Sequence, residues 1–126
     1  MQDFHKIFTT DSAGFLPRAL ATFRYQYREN PVYHAFADAL GIQPDAVTRL
    51  EQIPFLPVRF FKSHKIFTGQ SEPELYFESS GTTGMSNSRH WIKDTGIYRE
   101  SFMRGFENVY GNPGRYCILG LLPSYL

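Results

Sequence analysis

Leu75-Tyr76-Phe77-Glu78-Ser79-Ser80-Gly81-Thr82-Thr83-Gly84-Met85-Ser86-Asn87-Ser88-Arg89-His90-Trp91-Ile92-Lys93 sets two short apolar and aromatic runs on either side of a polar one. Leu75–Glu78 reads as a strand and His90–Lys93 as its return strand, so the whole is a hairpin with a long loop over residues 79–88. Met85 is the single apolar side chain in that loop. Gly81 and Gly84 reach backbone angles that other residues avoid, which lets main-chain N–H groups converge. Converging amides together with Ser and Thr hydroxyls bind phosphate oxygens well. The same composition also suits a plain polar turn, and physics alone leaves both readings open. The loop is not a Walker A motif, because Gly81 and Gly84 lie too close together and no Lys-Ser/Thr follows Gly84. Nor does it carry the three-glycine dinucleotide fingerprint.

Upstream of the hairpin the chain is helical. Phe15, Leu16, Ala19, Leu20, Phe23 and Tyr27 recur at helical spacing, so an amphipathic helix is expected over 15–28, capped by Asp11 or Ser12. Asn30-Pro31 supplies a cap and a first-turn proline for a second helix, which Gly41 stops. Pro44 and Asp45 open a short third helix through Leu50. Ile53-Pro54-Phe55-Leu56-Pro57-Val58-Arg59-Phe60-Phe61-Lys62 is then expected to be extended or an edge strand, because its prolines oppose a helix. Ile66–Thr68 reads as another short strand. Downstream, Asp94 or Thr95 caps a helix carrying Tyr98, Phe102, Phe106 and Val109, and Gly111–Gly114 forms a turn. Tyr116–Leu122 is a continuous apolar run of the kind found in buried parallel strands. The expected class is α/β: N-terminal helices, then strands and a phosphate-loop hairpin, as part of a three-layer fold.

Composition narrows the function classes. The chain has 126 residues, 42% hydrophobic and 17% aromatic, with only 20% charged, which is too apolar for disorder. Its 13 basic residues nearly balance 12 acidic ones, so nothing global points to nucleic acid or an anionic membrane. No apolar run approaches the ~20 residues that span a bilayer. One cysteine, Cys117, excludes a disulfide framework and implies a reducing, cytoplasmic setting. Inside an apolar run, Cys117 reads as core packing, as do Trp91 and the Phe102/Phe106 stripe. His5, His34, His64 and His90 are too dispersed for a metal site. Of these, His64 is the best placed to face a site. Arg24-Tyr25-Gln26-Tyr27-Arg28 mixes basic and aromatic residues as single-strand binders do, but at this net charge it reads as a solvated helix face.

The exact string Glu78-Ser79-Ser80-Gly81-Thr82-Thr83-Gly84-Met85-Ser86 closely resembles the phosphate-loop signature of adenylate-forming (ANL) enzymes, the superfamily of acyl- and aryl-CoA synthetases, luciferases and peptide-synthetase adenylation domains. The flanks narrow this further. Ile53–His64 and Gly120-Leu121-Leu122-Pro123-Ser124-Tyr125-Leu126 look like segments before and after this loop in the acyl-protein synthetases of bacterial luminescence, the LuxE-type long-chain-fatty-acid–luciferin-component ligases. Phenylacetate-CoA ligases share the loop and are the nearest competitor.

The resemblance implies a reaction in which a carboxylate, such as a fatty acid, attacks the α-phosphate of ATP. An acyl-adenylate and pyrophosphate form, and the acyl group passes to a protein thiol or another acceptor. By position in the motif, Ser79, Ser80, Gly81, Thr82, Thr83, Gly84 and Ser86 are the ATP-phosphate candidates, with Mg2+ accompanying the nucleotide. Many members carry a lysine shortly after the second glycine, where this chain has Ser86-Asn87-Ser88-Arg89-His90, so Arg89 is the candidate replacement cation. The superfamily's adenine pocket, ribose-binding acid and catalytic lysine lie beyond the position of Leu126. The resemblance therefore divides the chain into an N-terminal helical segment (1–50) and the front of an acyl-activating domain (51–126), packed as one structural unit. Taken with the apolar end, it implies a fragment that is inactive alone, with apolar surface exposed for self-association. The alternative is a non-catalytic module that binds nucleotide, phosphate or a protein partner.

Overall fold

The computed structural model describes residues 4–79, 87–117, 119 and 120, as two compact units divided after Thr95. In the first unit, a 3-10 turn at Phe4–Thr9 precedes α1 (Ser12–Glu29) and α2 (Pro31–Ala39). Asp11 caps α1 by accepting from the Gly14 amide at 2.8 Å. Asn30 joins the two helices and serves both. Its amide closes α1 on the Gln26 carbonyl at 2.9 Å, while its Oδ1 accepts the Tyr33 amide of α2 at 3.1 Å. Only 3% of Asn30 is exposed, and its Nδ2 donates to the Thr68 hydroxyl at 3.2 Å. A single buried amide thus ties the α1–α2 corner to the segment that leads into the hairpin. At Gly69 (φ +95°) that segment turns, and the Gly69 amide donates to the Glu29 carbonyl at 2.9 Å. An added Cβ there would lie 2.7 Å from Lys93 Nζ, the movable end of a flexible side chain, so it is the backbone angle that calls for glycine.

The hydrophobic residues buried among those described are Phe23, Tyr33, Ala37 and Val47. Phe23 and Tyr33 meet edge to face at 6.2 Å, with Leu20, Tyr27, Phe36, Ile42, Ile53 and Leu56 packed around them. The Tyr33 hydroxyl donates to the Pro54 carbonyl at 2.7 Å, and burial pushes its pKa up to about 12.

Several expectations change here. The third helix reduces to 3-10 turns at Pro44–Ala46 and Leu50–Gln52, because Val47 turns extended (ψ 110°) to enter the core. Residues 53–62 are not a strand. After the prolines the chain closes α3 (Phe60–Ser63), begun when the Pro57 carbonyl accepts the Phe60 amide at 3.0 Å. Proline blocks a helix interior but is tolerated just ahead of a helix, and the expectation did not separate the two. Ile66–Thr68 forms no strand either. The hairpin is present: β1 (Leu75–Glu78) pairs antiparallel with β2 (Arg89–Ile92), forming the sheet seen among the described residues.

In the second unit, α4 (Thr95–Tyr110) ends at Gly111 (φ +80°) and is followed by a 3-10 turn at Pro113–Arg115. Phe106, Tyr110 and Tyr116 pack together through tilted and edge contacts of 5.0–6.4 Å. Phe102, expected in the core, is 50% exposed. Tyr116, Cys117, Leu119 and Gly120 form no strand, and Cys117 is exposed rather than packed. A parallel strand needs a neighbour to complete its ladder, and none is present among the described residues. Ile118 and Leu121–Leu126 lie outside the described residues. No described helix is long and apolar enough to cross a membrane. The structure is therefore mixed α and β, with four α-helices and a two-stranded antiparallel sheet among the described residues.

Candidate functional site

Alternation along the hairpin puts Tyr76, Glu78, Arg89 and Trp91 on one face, with Tyr76 opposite Trp91 and Glu78 opposite Arg89. Beyond the last pair, the loop is closed at its neck by two serines. The Ser79 amide donates to the Ser88 carbonyl at 3.1 Å, and the Ser88 amide donates back to Ser79 Oγ at 3.2 Å. The two hydroxyls lie 2.8 Å apart, and Ser88 Oγ is 3.3 Å from His90 Nε2. Ser88 is only 6% exposed, and the His90 ring stacks on Phe61 at 4.6 Å. The loop thus springs from a fixed base.

Of the phosphate candidates, Ser79 falls within the described residues, and its hydroxyl is engaged across this neck. Ser80, Gly81, Thr82, Thr83, Gly84 and Ser86 lie outside the described residues.

Arg89 Nε donates to the Glu78 carboxylate at 2.6 Å, and its guanidinium lies over the Tyr76 ring at 5.4 Å. Hydrogen bonds from Arg89 and then from Asn87 hold the Glu78 carboxyl below its ordinary value. Arg89 is therefore paired with Glu78 across the hairpin, and further positive charge lies close by. Beside the neck lies an open groove of about 580 Å³ lined by Phe61, Lys62, Ser63, His64, Lys65, Glu78, Asn87, Arg89 and Trp91. Lys65 Nζ sits 4.8 Å from the centre of the Trp91 ring, and no carboxylate among the described residues pairs with Lys62 or Lys65. His64 also lines the groove, stacked on Phe60 at 5.1 Å with Nδ1 2.8 Å from Ser63 Oγ. Sequence reading overlooked both lysines. Their signal was the run Arg59-Phe60-Phe61-Lys62-Ser63-His64-Lys65, which packs cations and aromatics just ahead of the hairpin.

The other histidine near charge, His34, is structural: Nδ1 lies 3.0 Å from the Tyr27 carbonyl and Nε2 lies 3.2 Å from Asp38. Arg24, in the basic-aromatic run, reaches the Val47 carbonyl at 3.2 Å and helps hold the segment around Val47 in place. Among the described residues there is no group of three or more His, Cys, Asp or Glu that could hold a metal ion.

The hairpin carries a pH dependence of known sign. Glu74, which accepts from the Thr95 hydroxyl and amide, is also held below its ordinary value, as is Glu78. A carboxyl lowered in the fold stabilises it above the unfolded value of 4.5 and loses that effect as pH falls through the folded value. Acidification below pH 4.5 is therefore expected to loosen the hairpin. Trp91, the chain's one tryptophan, reports this by fluorescence, and Glu78→Gln should flatten the acid limb.

Comparison with known proteins finds two relatives over about half of the chain. Over 69 residues, 54% of this chain, it is 32% identical to the long-chain-fatty-acid–luciferin-component ligase of Photorhabdus luminescens, and the match covers 59% of that protein. Over 66 residues, 52% of this chain, it is 35% identical to the protein of the same name from Vibrio harveyi, and covers 17% of it. The chain thus spans only part of either relative. No family model and no solved structure matches it.

Proposed function

We propose that this chain, related over half its length to long-chain-fatty-acid–luciferin-component ligases, is the phosphate-holding part of an ATP-dependent acyl-activating enzyme. In this reading a fatty carboxylate attacks the α-phosphate of magnesium-bound ATP, the acyl–adenylate bond forms, and the bond to pyrophosphate breaks. The acyl group then passes to a protein thiol or another acceptor, in a cytoplasmic setting. Ser80, Gly81, Thr82, Thr83, Gly84 and Ser86 contact the β- and γ-phosphates, while Ser79 fixes the neck from which they project. The hairpin then forms one corner of a partial three-layer adenylate-forming fold.

One observation carries this reading: the serine-closed neck stands beside a groove whose lysines, Lys62 and Lys65, have no carboxylate partner among the described residues. Positive charge held ready where pyrophosphate develops is the electrostatic element that such a reaction needs. It also fills the role left open by the missing loop lysine and by Arg89's engagement with Glu78. The exposure of Phe55 (83%) and Val58 (76%) supports self-association through apolar surface.

A ladder of AMP, ADP and ATP, each with Mg2+ and followed by Trp91 fluorescence, tests the reading. Affinity should rise at each added phosphate and fall with salt, because the contacts are to the β and γ groups. Equal affinity along the ladder, or none for any rung, contradicts it.

A further inference from the structure

Ser88 and His90 lie two residues apart at the start of β2, and Ser79 faces Ser88 across the loop neck. The three side chains form one line of hydrogen bonds. His90 Nε2 lies 3.3 Å from Ser88 Oγ, which lies 2.8 Å from Ser79 Oγ. Each hydroxyl has a single hydrogen, so the direction of one bond sets the direction of the next. A neutral imidazole can accept at Nε2, which lets Ser88 donate to His90 and Ser79 donate back to Ser88. A protonated imidazole cannot accept, which leaves only the outward direction: His90 donates to Ser88, and Ser88 donates to Ser79. Ser79 Oγ then takes two hydrogens from Ser88, one from the hydroxyl and one from the amide at 3.2 Å. Both its lone pairs are filled, so its own hydrogen is free for an outside acceptor. Ser79 is exposed, whereas Ser88 is buried, so the line opens at the loop end.

The groups around His90 leave this line as its partner among the described residues. Across the sheet it pairs with Phe77, and the neighbouring Glu78 is taken by Arg89. From α3, Phe61 stacks on the ring; beside it Lys62 lines the groove, and His64 stacks on Phe60 and meets Ser63 Oγ. Further along the chain, Lys93 reaches Tyr25 and the Thr68 carbonyl. No carboxylate of the described residues pairs with His90, and residues 80–86 contain no ionisable side chain.

We propose that His90 is a positioning residue of the phosphate site: when protonated it turns the Ser88 and Ser79 hydroxyls toward the loop, and Ser79 donates to a phosphate oxygen there. This rests on the phosphate-holding reading above. Phosphate binding and protonation of His90 then favour each other, so affinity rises as pH falls through the range, about pH 8 to 5.5, in which histidine ordinarily gains its charge.

Calorimetric titration with magnesium pyrophosphate at about pH 8 and about pH 5.5 tests this on wild type, His90→Gln and Ser88→Ala, with far-UV circular dichroism as a folding control. Pyrophosphate itself titrates in this range, but that change is common to all three chains and cancels in the ratio of their dissociation constants. Relative to His90→Gln, wild type should gain about tenfold as the pH falls, the worth of one hydroxyl hydrogen on a charged oxygen. Glutamine keeps a hydrogen-bonding amide at this position without the charge, so a merely structural role for His90 would leave the ratio constant. Ser88→Ala should lose most of the same gain with His90 still in place, because the line is cut. A constant ratio of wild type to His90→Gln, or the full pH effect in Ser88→Ala, overturns the proposal. The two readings fail separately: pyrophosphate binding with a constant ratio sinks this one alone, and binding at neither pH sinks both.

Discussion

Phe23→Ala is expected to lower the melting midpoint of the first unit sharply. Phe23 is 3% exposed and sits between Tyr27 and Tyr33, at 6.5 and 6.2 Å. Truncating a buried phenylalanine costs about 3–5 kcal/mol, and a small domain has only ~5–15 kcal/mol in total. Here the described core has Phe23, Tyr33, Ala37 and Val47 buried, so little packing remains to absorb the cavity. A thermal melt by circular dichroism should show a midpoint lowered by more than about 12 °C, at 4–8 °C per kcal/mol for a unit of this size. Phe55→Ala is the control. That ring is 83% exposed, and its loss should change stability by no more than about 0.5 kcal/mol. Equal effects from the two would mean that the core lies elsewhere.

The second large effect is on binding. Lys62→Met with Lys65→Met should weaken magnesium–ATP by at least about 100-fold and flatten its salt dependence. Each lysine contributes a charge-assisted contact of about 1.5–3 kcal/mol to a phosphate oxygen. Methionine keeps most of each apolar stem, so the Lys65 position can still cover Trp91. Arg89→Gln should cost much less, because that guanidinium is already engaged by Glu78 at 2.6 Å. If Arg89→Gln proves the more damaging change, Arg89 is the phosphate cation and the lysines are bystanders.

These two predictions draw on different parts of what the sequence made legible. Local signals read well. Asn30-Pro31 marked a real helix junction, Asp11 a real cap, and the aromatic runs around residues 79–88 a real hairpin. Each depends on atoms within one turn or one strand pair. Signals that depend on distant partners read poorly. Val47 left its expected helix because the core drew it in, and Tyr116–Leu122 looked like a buried strand although none is formed at Tyr116 or Cys117. Apolar content shows that a segment can be buried, not what will bury it. At the site, the loop string revealed its kinship, and about half the chain is related to two ligases as its flanks implied. Arg89 is the cation that nearness in sequence points to. The register that sets it opposite Glu78, and the turn that brings Lys62 and Lys65 to the groove, are tertiary facts.

The central claim is that the loop over residues 79–88 holds the phosphates that leave as pyrophosphate. Calorimetric titration of the chain with magnesium pyrophosphate tests it most directly, comparing wild type with Thr82→Ala. Wild type should bind at a single site, and the loss of one hydroxyl donor to a charged oxygen should weaken binding about tenfold. No binding by wild type, or equal binding by both chains, would contradict it.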